Sequence, residues 1–223
     1  YYLASSNGLT STILSKQYKI IKSTTDYNNI LKDKNVDLVI ITTRHNSHSK
    51  IVLDSIDAGK NIFVEKPLTI KESDLKNIIS KYNNSNINLT VGFNRRFSPL
   101  TIKTKSLLEN NNDPLNIVIT INAGYISSTS WVNQIKIGGG RIIGEACHFI
   151  DLSSFIVGCK ITEVCMNSTM GTTNDDSSSI LLKFCNGSNA VINYFSNGSN
   201  SYPKERIEIH SDQKTIIIDD WKI

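Results

Sequence analysis

The sequence predicts a two-part α/β chain: a doubly wound parallel sheet over residues 1–93, then an α+β domain with a mixed, largely antiparallel sheet over residues 94–223. Three observations carry this. Over the first ninety or so residues, short apolar runs alternate with helical segments, the rhythm of parallel βαβ units. After Arg96 the rhythm changes to successive strands joined by turns, with Asn-Gly pairs at Asn186 and Asn197. An apolar strand, Ile62-Phe63-Val64, also ends abruptly in Glu65-Lys66-Pro67. In open α/β sheets that edge is where ligands bind.

Taken in order, residues 1–5 read as a strand, 10–16 as a helix, 18–21 as a short strand, and 26–31 as a helix with Asp26 as its cap. Residues 37–42 (DLVIIT) form a continuous apolar run, the pattern of a strand covered on both faces. A helix over 47–58 draws an apolar face from Ile51, Val52, Leu53 and Ile56, and Gly59 closes it. A strand (61–64), a helix (71–82) and a strand (88–92) complete the first part. The second part reads as a helix (99–109), a long alternating strand (116–123), a Gly-rich turn and a helix (143–156). Strands follow around 161–166, 178–184, 189–196, 204–210 and 214–219. The polar stretches 110–113 and 172–179 read as solvated loops.

Composition narrows the function classes. With 39% hydrophobic and 20% charged residues, the 223-residue chain resembles an ordinary globular protein with a real core. The net charge is +4, but the basic residues are scattered, so no nucleic-acid partner is expected. Apolar runs are strand-sized, short of the ~20 residues a membrane span needs, so no membrane partner is expected. Nothing resembles a leader, and a cytoplasmic location is expected. The four cysteines form no C-x-x-C pair, so they are expected to be reduced core thiols, with no metal.

Four motifs stand in order: T-x-x-x-x-H (Thr43, His48), EKP (Glu65 to Pro67), VGFNRRF (Val91 to Phe97), and Gly138-Gly139-Gly140 followed eight residues later by His148. Together they resemble the glucose–fructose oxidoreductase/inositol dehydrogenase family, also called Gfo/Idh/MocA, over nearly the whole chain. The stretch WVNQIKIGGGRIIGEACHFIDL looks most like the subgroup fused to zinc-type alcohol dehydrogenase modules. The resemblance implies a Rossmann domain followed by a substrate-binding domain whose sheet forms an oligomer face, giving a homo-oligomer (dimer or tetramer). It also implies NAD or NADP as cofactor, and a secondary hydroxyl or ketone of a sugar, inositol or nucleotide-sugar as substrate.

Such chemistry needs charge support for an alkoxide and a group that exchanges the hydroxyl proton. Lys66, at the strand end, fits the first role, and Pro67 would fix the turn that aims it. Glu65 either orients Lys66 or contacts the nicotinamide ribose. His148 fits the second role; its plainer reading is a helix histidine packed against Trp131 or Tyr125. His48 is expected to support the cofactor pocket. Thr43 and Asn46 either line the nicotinamide side or cap a helix. Arg95 either meets an anionic substrate group or makes an interdomain salt bridge. Trp131 either stacks on a sugar ring or makes a core or lid contact.

Two departures from the family pattern stand out. The helix carboxylate one turn before the histidine is replaced by Gly144, with Glu145 beside it. Glu145, three residues before His148, either takes over that role or is a surface charge; Asp151 is a second possible partner. The G-x-G-x-x-G turn is also absent. In the order 3-2-1-4-5-6, residues 1–5 match the second strand, so the central first strand and its helix, roughly 30 residues, are missing. The expectation is a fragment, or another segment in that slot; the C-terminus also stops earlier than in most members. Ser5 and Ser6 stand where many members carry an acidic ribose ligand, which leaves NADP open beside NAD. The alternatives to an enzyme are a non-catalytic binding or scaffold relative, and one module of a larger fusion dehydrogenase.

Overall fold

The computed structural model describes residues 1–169 and 176–222. The chain divides into two compact units, Tyr1–Gly92 and Phe93–Ile223. No helix among the described residues is long and apolar enough to cross a membrane.

The first unit runs β1 (Tyr2–Ala4), α1 (Gly8–Gln17), β2 (Lys22–Thr24), α2 (Asn28–Lys32), β3 (Leu38–Ile41), α3 (His45–Asp57), β4 (Asn61–Val64), α4 (Glu72–Asn83) and β5 (Leu89–Val91). Every strand pair is parallel. The sheet is in two pieces, β1-β2 and β3-β4-β5. Val39, Ile41, Ile62 and Val64 share one core with Val52 and Ile56 of α3 and Ile78 of α4. Gly59 follows α3 at φ +68, a left-handed C′ position that costs glycine nothing.

Three expectations need correction here. Residues 18–21 are not a strand. The Tyr18 and Ile20 amides still bond back to Leu14 and Ser15 carbonyls, and Lys19 turns left-handed at φ 54. A short apolar run does not by itself separate a strand from a helix end. Asp26 serves the start of α2 from outside the cap, its Oδ1 accepting from the Asn28 amide at 2.9 Å. β3 is covered on one face only: Val39 and Ile41 are buried, whereas Leu38 and Ile40 are 50% and 63% exposed.

The second unit opens with a 3-10 turn (Asn94–Phe97), then α5 (Pro99–Leu107), β6 (Asn116–Asn122), a π-helical turn (Ile142–Ala146) and α6 (Cys147–Val157). β7 (Ile161–Ser168), β8 (Ser178–Phe184), β9 (Asn189–Phe195), β10 (Glu205–Ser211) and β11 (Lys214–Asp219) follow. They form one six-stranded sheet in the order β11-β10-β6-β9-β8-β7. β6 and β9 run parallel; the other pairs are antiparallel. Strict alternation along β6, β8, β9 and β10 places Ile117, Ile119, Ile121, Ile180, Ile192 and Ile207 on one buried face, under Phe149, Leu152 and Ile156 of α6. The opposite face carries a cross-strand row of Leu181, Val191, Val118, Glu208 and Ile217.

Residues 172–175 of the second expected loop lie outside the described residues. Ser177 and Ser178, at its end, are 2% exposed rather than solvated, because Ser178 opens β8 on its buried face. The cysteines are free and none is fully buried: Cys147 and Cys159 are half-buried, Cys159 packing against the core, whereas Cys165 and Cys185 are exposed rather than core thiols.

Candidate functional site

In the first unit the notable side chains gather where β3 and β4 end. β3 hands over to α3 through Thr42, Thr43 and Arg44, and β4 hands over to the Glu65-Lys66-Pro67 corner, where the Lys66–Pro67 peptide is cis. His48, fully buried on α3, ties the two segments together. Its Nδ1 lies 2.8 Å from the Pro67 carbonyl oxygen and its Nε2 2.9 Å from that of Thr43. A neutral imidazole has one N–H and donates to one of these oxygens at a time. The ring of His45 stacks obliquely 5.7 Å away. Sequence reading passed over His45; its place one turn before His48 was the available signal.

Glu65 and Lys66 are half-buried, and Pro67 is buried. A Cβ at Gly92 would meet the Glu65 carboxylate and the Phe63 ring at 3.2–3.3 Å, so the absent side chain at residue 92 leaves room for that carboxylate beside β5. Thr43 accepts from Ser47 Oγ at 2.6 Å, and Asn46 is exposed on the first turn of α3. Neither caps that helix: its cap residue is Arg44, without a side-chain bond.

Ser5 and Ser6 lead from β1 into α1. Asn7 is the cap there, its Oδ1 accepting from the Leu9 and Thr10 amides, and the first turn holds no acidic residue.

In the second unit, His148 is the second residue of α6 and is half-buried, with the Phe93 ring edge-on at 6.2 Å. It borders a hollow of about 390 Å³ lined also by Asn94, Arg95, Ser98 and Trp221. Arg95 lies across the rings of Phe149 (4.5 Å) and Trp221 (5.3 Å). Its guanidinium grips Glu205 with both prongs, Nη2 to Oε1 at 2.7 Å, and Trp221 Nε1 donates to the same carboxylate. The salt bridge considered for Arg95 is therefore made inside the second unit rather than between units.

The tryptophan that borders this hollow is Trp221, not Trp131, which sits half-buried in the turn before the glycine triplet. No local pattern at Trp221 marks it. The β10–β11 hairpin carries it there, and it adopts φ 55. The triplet itself has a steric cause: a Cβ on Gly138 would lie 2.2 Å from the Val132 carbonyl oxygen, and Gly139 and Gly140 both take φ +79.

The two carboxylates near His148 in sequence hold other partners. Asp151 accepts from Arg96, Nε to Oδ2 at 2.7 Å, and this bond raises the already high Arg96 pKa. Glu145 Oε2 accepts from Arg141 Nη2 at 3.0 Å and from the Tyr194 hydroxyl. Arg141, 1% exposed, also donates to the carbonyls of Gly124 (2.5 Å) and Ala123 (3.1 Å). Burial, then the Glu145 bond and charge, push the Tyr194 phenol well above its ordinary range. Glu145 is thus not a plain surface charge. The i,i+3 spacing to His148 assumed regular α-helix, whereas Glu145 lies in the π-helical turn and His148 in the α-helix beyond it.

Comparison with known proteins places both units. Residues 3–93 match a family described as an oxidoreductase family with an NAD-binding Rossmann fold, and residues 113–217 match the GFO/IDH/MocA C-terminal domain. The myo-inositol 2-dehydrogenase of Thermotoga maritima is 26% identical over 213 residues, covering 92% of this chain and 63% of that protein. The scyllo-inositol 2-dehydrogenase (NAD(+)) of Bacillus subtilis is 29% identical over 163 residues, 68% of this chain and 44% of that protein. The chain therefore spans between about two fifths and two thirds of the length of these relatives. Among solved structures, levoglucosan dehydrogenase in complex with NADH and levoglucosan superposes with a TM-score of 0.87 at 22% identity, covering 98% of this chain and 63% of that one. A likeness at that identity speaks for the fold. With a Rossmann-type first unit, a mixed-sheet second unit and a family match across each, the chain belongs to the Gfo/Idh/MocA family of oxidoreductases.

Proposed function

We propose that this protein is a dehydrogenase of the NAD(P) class that oxidises a secondary hydroxyl, or reduces the corresponding ketone, on a sugar, inositol or nucleotide-sugar. The observation that carries the reading is the family match across both units, with the Glu65-Lys66-Pro67 corner at the carboxyl end of β4. Bound nicotinamide dinucleotide supplies the hydride acceptor or donor. The residues present fit its two ends. Thr43, Asn46, His48, Glu65, Lys66 and Pro67 would hold the nicotinamide half, His48 by fixing the segments that follow β3 and β4. Ser5 and Ser6 would meet the adenosine ribose; with no carboxylate between Ser5 and Gly8, a 2′-phosphate is not repelled, so NAD and NADP both fit.

Lys66 donates a hydrogen bond to the reacting oxygen, which stabilises an alkoxide in one direction and polarises a carbonyl in the other. His148 takes the hydroxyl proton during oxidation and returns it during reduction. Glu145 positions the start of α6 through its bonds to Arg141 and Tyr194. Arg95 and Trp221 shape the hollow beside His148 as a substrate surface. The exposed face of the six-stranded sheet, where Leu181 and Ile217 are 46% and 50% exposed, is the surface through which we expect a dimer or tetramer, measurable by light scattering. The likeness to members fused to zinc-type alcohol dehydrogenase modules belongs to the same proposal, and neighbouring coding sequence tests it.

Lys66→Ala and His148→Ala should each lower turnover of an inositol or sugar substrate by about 10²–10⁴-fold. Unchanged turnover in both removes the mechanism. Titration calorimetry with NADH and NADPH separates the enzyme from a scaffold relative, which would bind neither.

A further inference from the structure

Two of the four cysteines, 26 positions apart in the chain, meet at one end of the second sheet. α6 stops at Val157, and Gly158 turns left-handed at φ +78 with its amide on the Ser154 carbonyl at 2.8 Å, which delivers Cys159 to the entrance of β7. Cys185 follows the last residue of β8 and opens the tight turn into β9. That turn is closed by the Gly187 amide on Phe184 (3.0 Å) and the Phe184 amide on Ser188 (2.9 Å). Ile161 faces Phe184 in the β7–β8 pair, and the Cys185 amide donates to Lys160 at 2.9 Å, so the ladder continues one step to the residue beside Cys159.

Sulfur and amide contacts cross this gap in both directions. The Cys159 sulfur accepts from the amide of Asn186, the residue after Cys185, and the Cys185 sulfur accepts from the amide of Lys160, the residue after Cys159. The two sulfurs meet between these amides, where the Cys159 thiol donates to Cys185. Their side chains therefore already point at each other from backbone that a helix end and a tight turn both hold. Closing a bond there needs side-chain rotation rather than a backbone shift. The two thiols also differ. The bond from Cys159, then the Lys160 amide, draws the Cys185 thiol below its ordinary value, whereas Cys159 keeps its proton and is raised. Cys185 is exposed and Cys159 half-buried. Thiolate character and access both favour Cys185 as the attacking sulfur. Among the described residues no group of three His, Cys, Asp or Glu could hold a metal ion, so the pair is not part of a metal site there.

We infer that Cys159 and Cys185 are a peroxide-sensitive pair that closes reversibly into a disulfide, stapling the end of α6 and the start of β7 to the β8–β9 turn. The Cys185 thiolate attacks one oxygen of hydrogen peroxide, the O–O bond breaks, and the departing hydroxide leaves as water after protonation. The Cys159 sulfur then attacks the resulting sulfenic acid. The S–S bond forms, and the expelled hydroxide leaves as water with the Cys159 proton. Two thiols and one peroxide thus give one disulfide and two waters. β7 is an edge strand of the sheet, so the staple fixes an edge that has a neighbour on one side only. This inference is independent of the dehydrogenase reading.

The test treats the reduced 223-residue chain with one equivalent of hydrogen peroxide, blocks remaining thiols with N-ethylmaleimide, and maps peptides by mass spectrometry. The expected product is a Cys159–Cys185 bridge, two hydrogens lighter, with Cys147 and Cys165 alkylated and the bridge opened by dithiothreitol. Fragmentation must assign the bond, because Cys147 and Cys159 share one tryptic peptide. Closing this loop should raise the unfolding midpoint by about 5 °C, and neither Cys159→Ser nor Cys185→Ser should show that rise. With peroxide, Cys159→Ser should leave a sulfenic acid on Cys185 that dimedone labels, whereas Cys185→Ser should leave Cys159 unlabelled. A bridge to Cys147 or Cys165, chains joined to one another, or no bridge overturns the inference. So does a bridge that leaves the midpoint unchanged or lowers it, or dimedone label on Cys159 in place of Cys185.

Discussion

The two sheets use the same side chains to different effect. In the second unit, Ile119 and Ile192 sit on adjacent strands of an unbroken sheet and are wholly buried. In the first, Ile40 lies in an equally apolar run and remains 63% exposed, because it points to the face of β3 opposite the core shared with α3 and α4. An apolar run tells that a strand forms; burial depends on which strands and helices arrive beside it. Position in the sheet, rather than residue type, decides what a core residue contributes.

The sharpest way to break this comparison is a matched pair of truncations. Ile119→Ala should cost about 2–5 kcal/mol of stability through lost transfer energy and a cavity. Ile40→Ala should stay within about 0.5 kcal/mol. Urea unfolding read through hydrogen exchange in each unit separately measures both, and equal losses would sink the comparison. The next effect is confined to the second unit and to alkaline pH. The Tyr194 phenol is held above its ordinary range, so its contribution is complete below the unfolded value near 10 and is lost as pH rises through the higher folded value. Unfolding midpoints should fall above pH 10, and Tyr194→Phe should flatten that fall. The smallest effect belongs to the first unit and to acid. Asp33 is drawn down to about 2, first by its bond from Lys22 and then by the Asn35 amide. Its contribution is present above the unfolded value near 4 and is lost as pH falls toward 2. Asp33→Asn should remove a shallow slope in that window, read from thermal midpoints.

The sequence exposed the strands well where apolar residues alternate or run without interruption. Residues 61–64, 178–184 and 214–219 match the observed strands end to end. It failed at 18–21, where backbone bonds back into α1 override an apolar run, and at Leu38 and Ile40, where coverage by neighbours is not a local property. The candidate site was half legible. The Glu65-Lys66-Pro67 corner and the glycine triplet are local patterns with steric causes. The hollow at His148 is not local: Trp221 reaches it only once β10 and β11 have paired, and Glu205, which holds Arg95 there, is placed by the pairing of β10 with β6. The Arg141–Glu145–Tyr194 cluster likewise joins a π-helical turn to β9, and no spacing rule for regular helices anticipates it.

β6 takes its parallel neighbour from β9, a partner such as Asn189 lying 73 positions after Asn116, and its other neighbour from β10, later still. During synthesis, the middle of the second sheet must therefore wait on the ribosome for its flanks to emerge. Such high contact order slows folding. A nascent chain arrested before residue 189 would hold a greasy strand with neither side satisfied, a natural client for a chaperone.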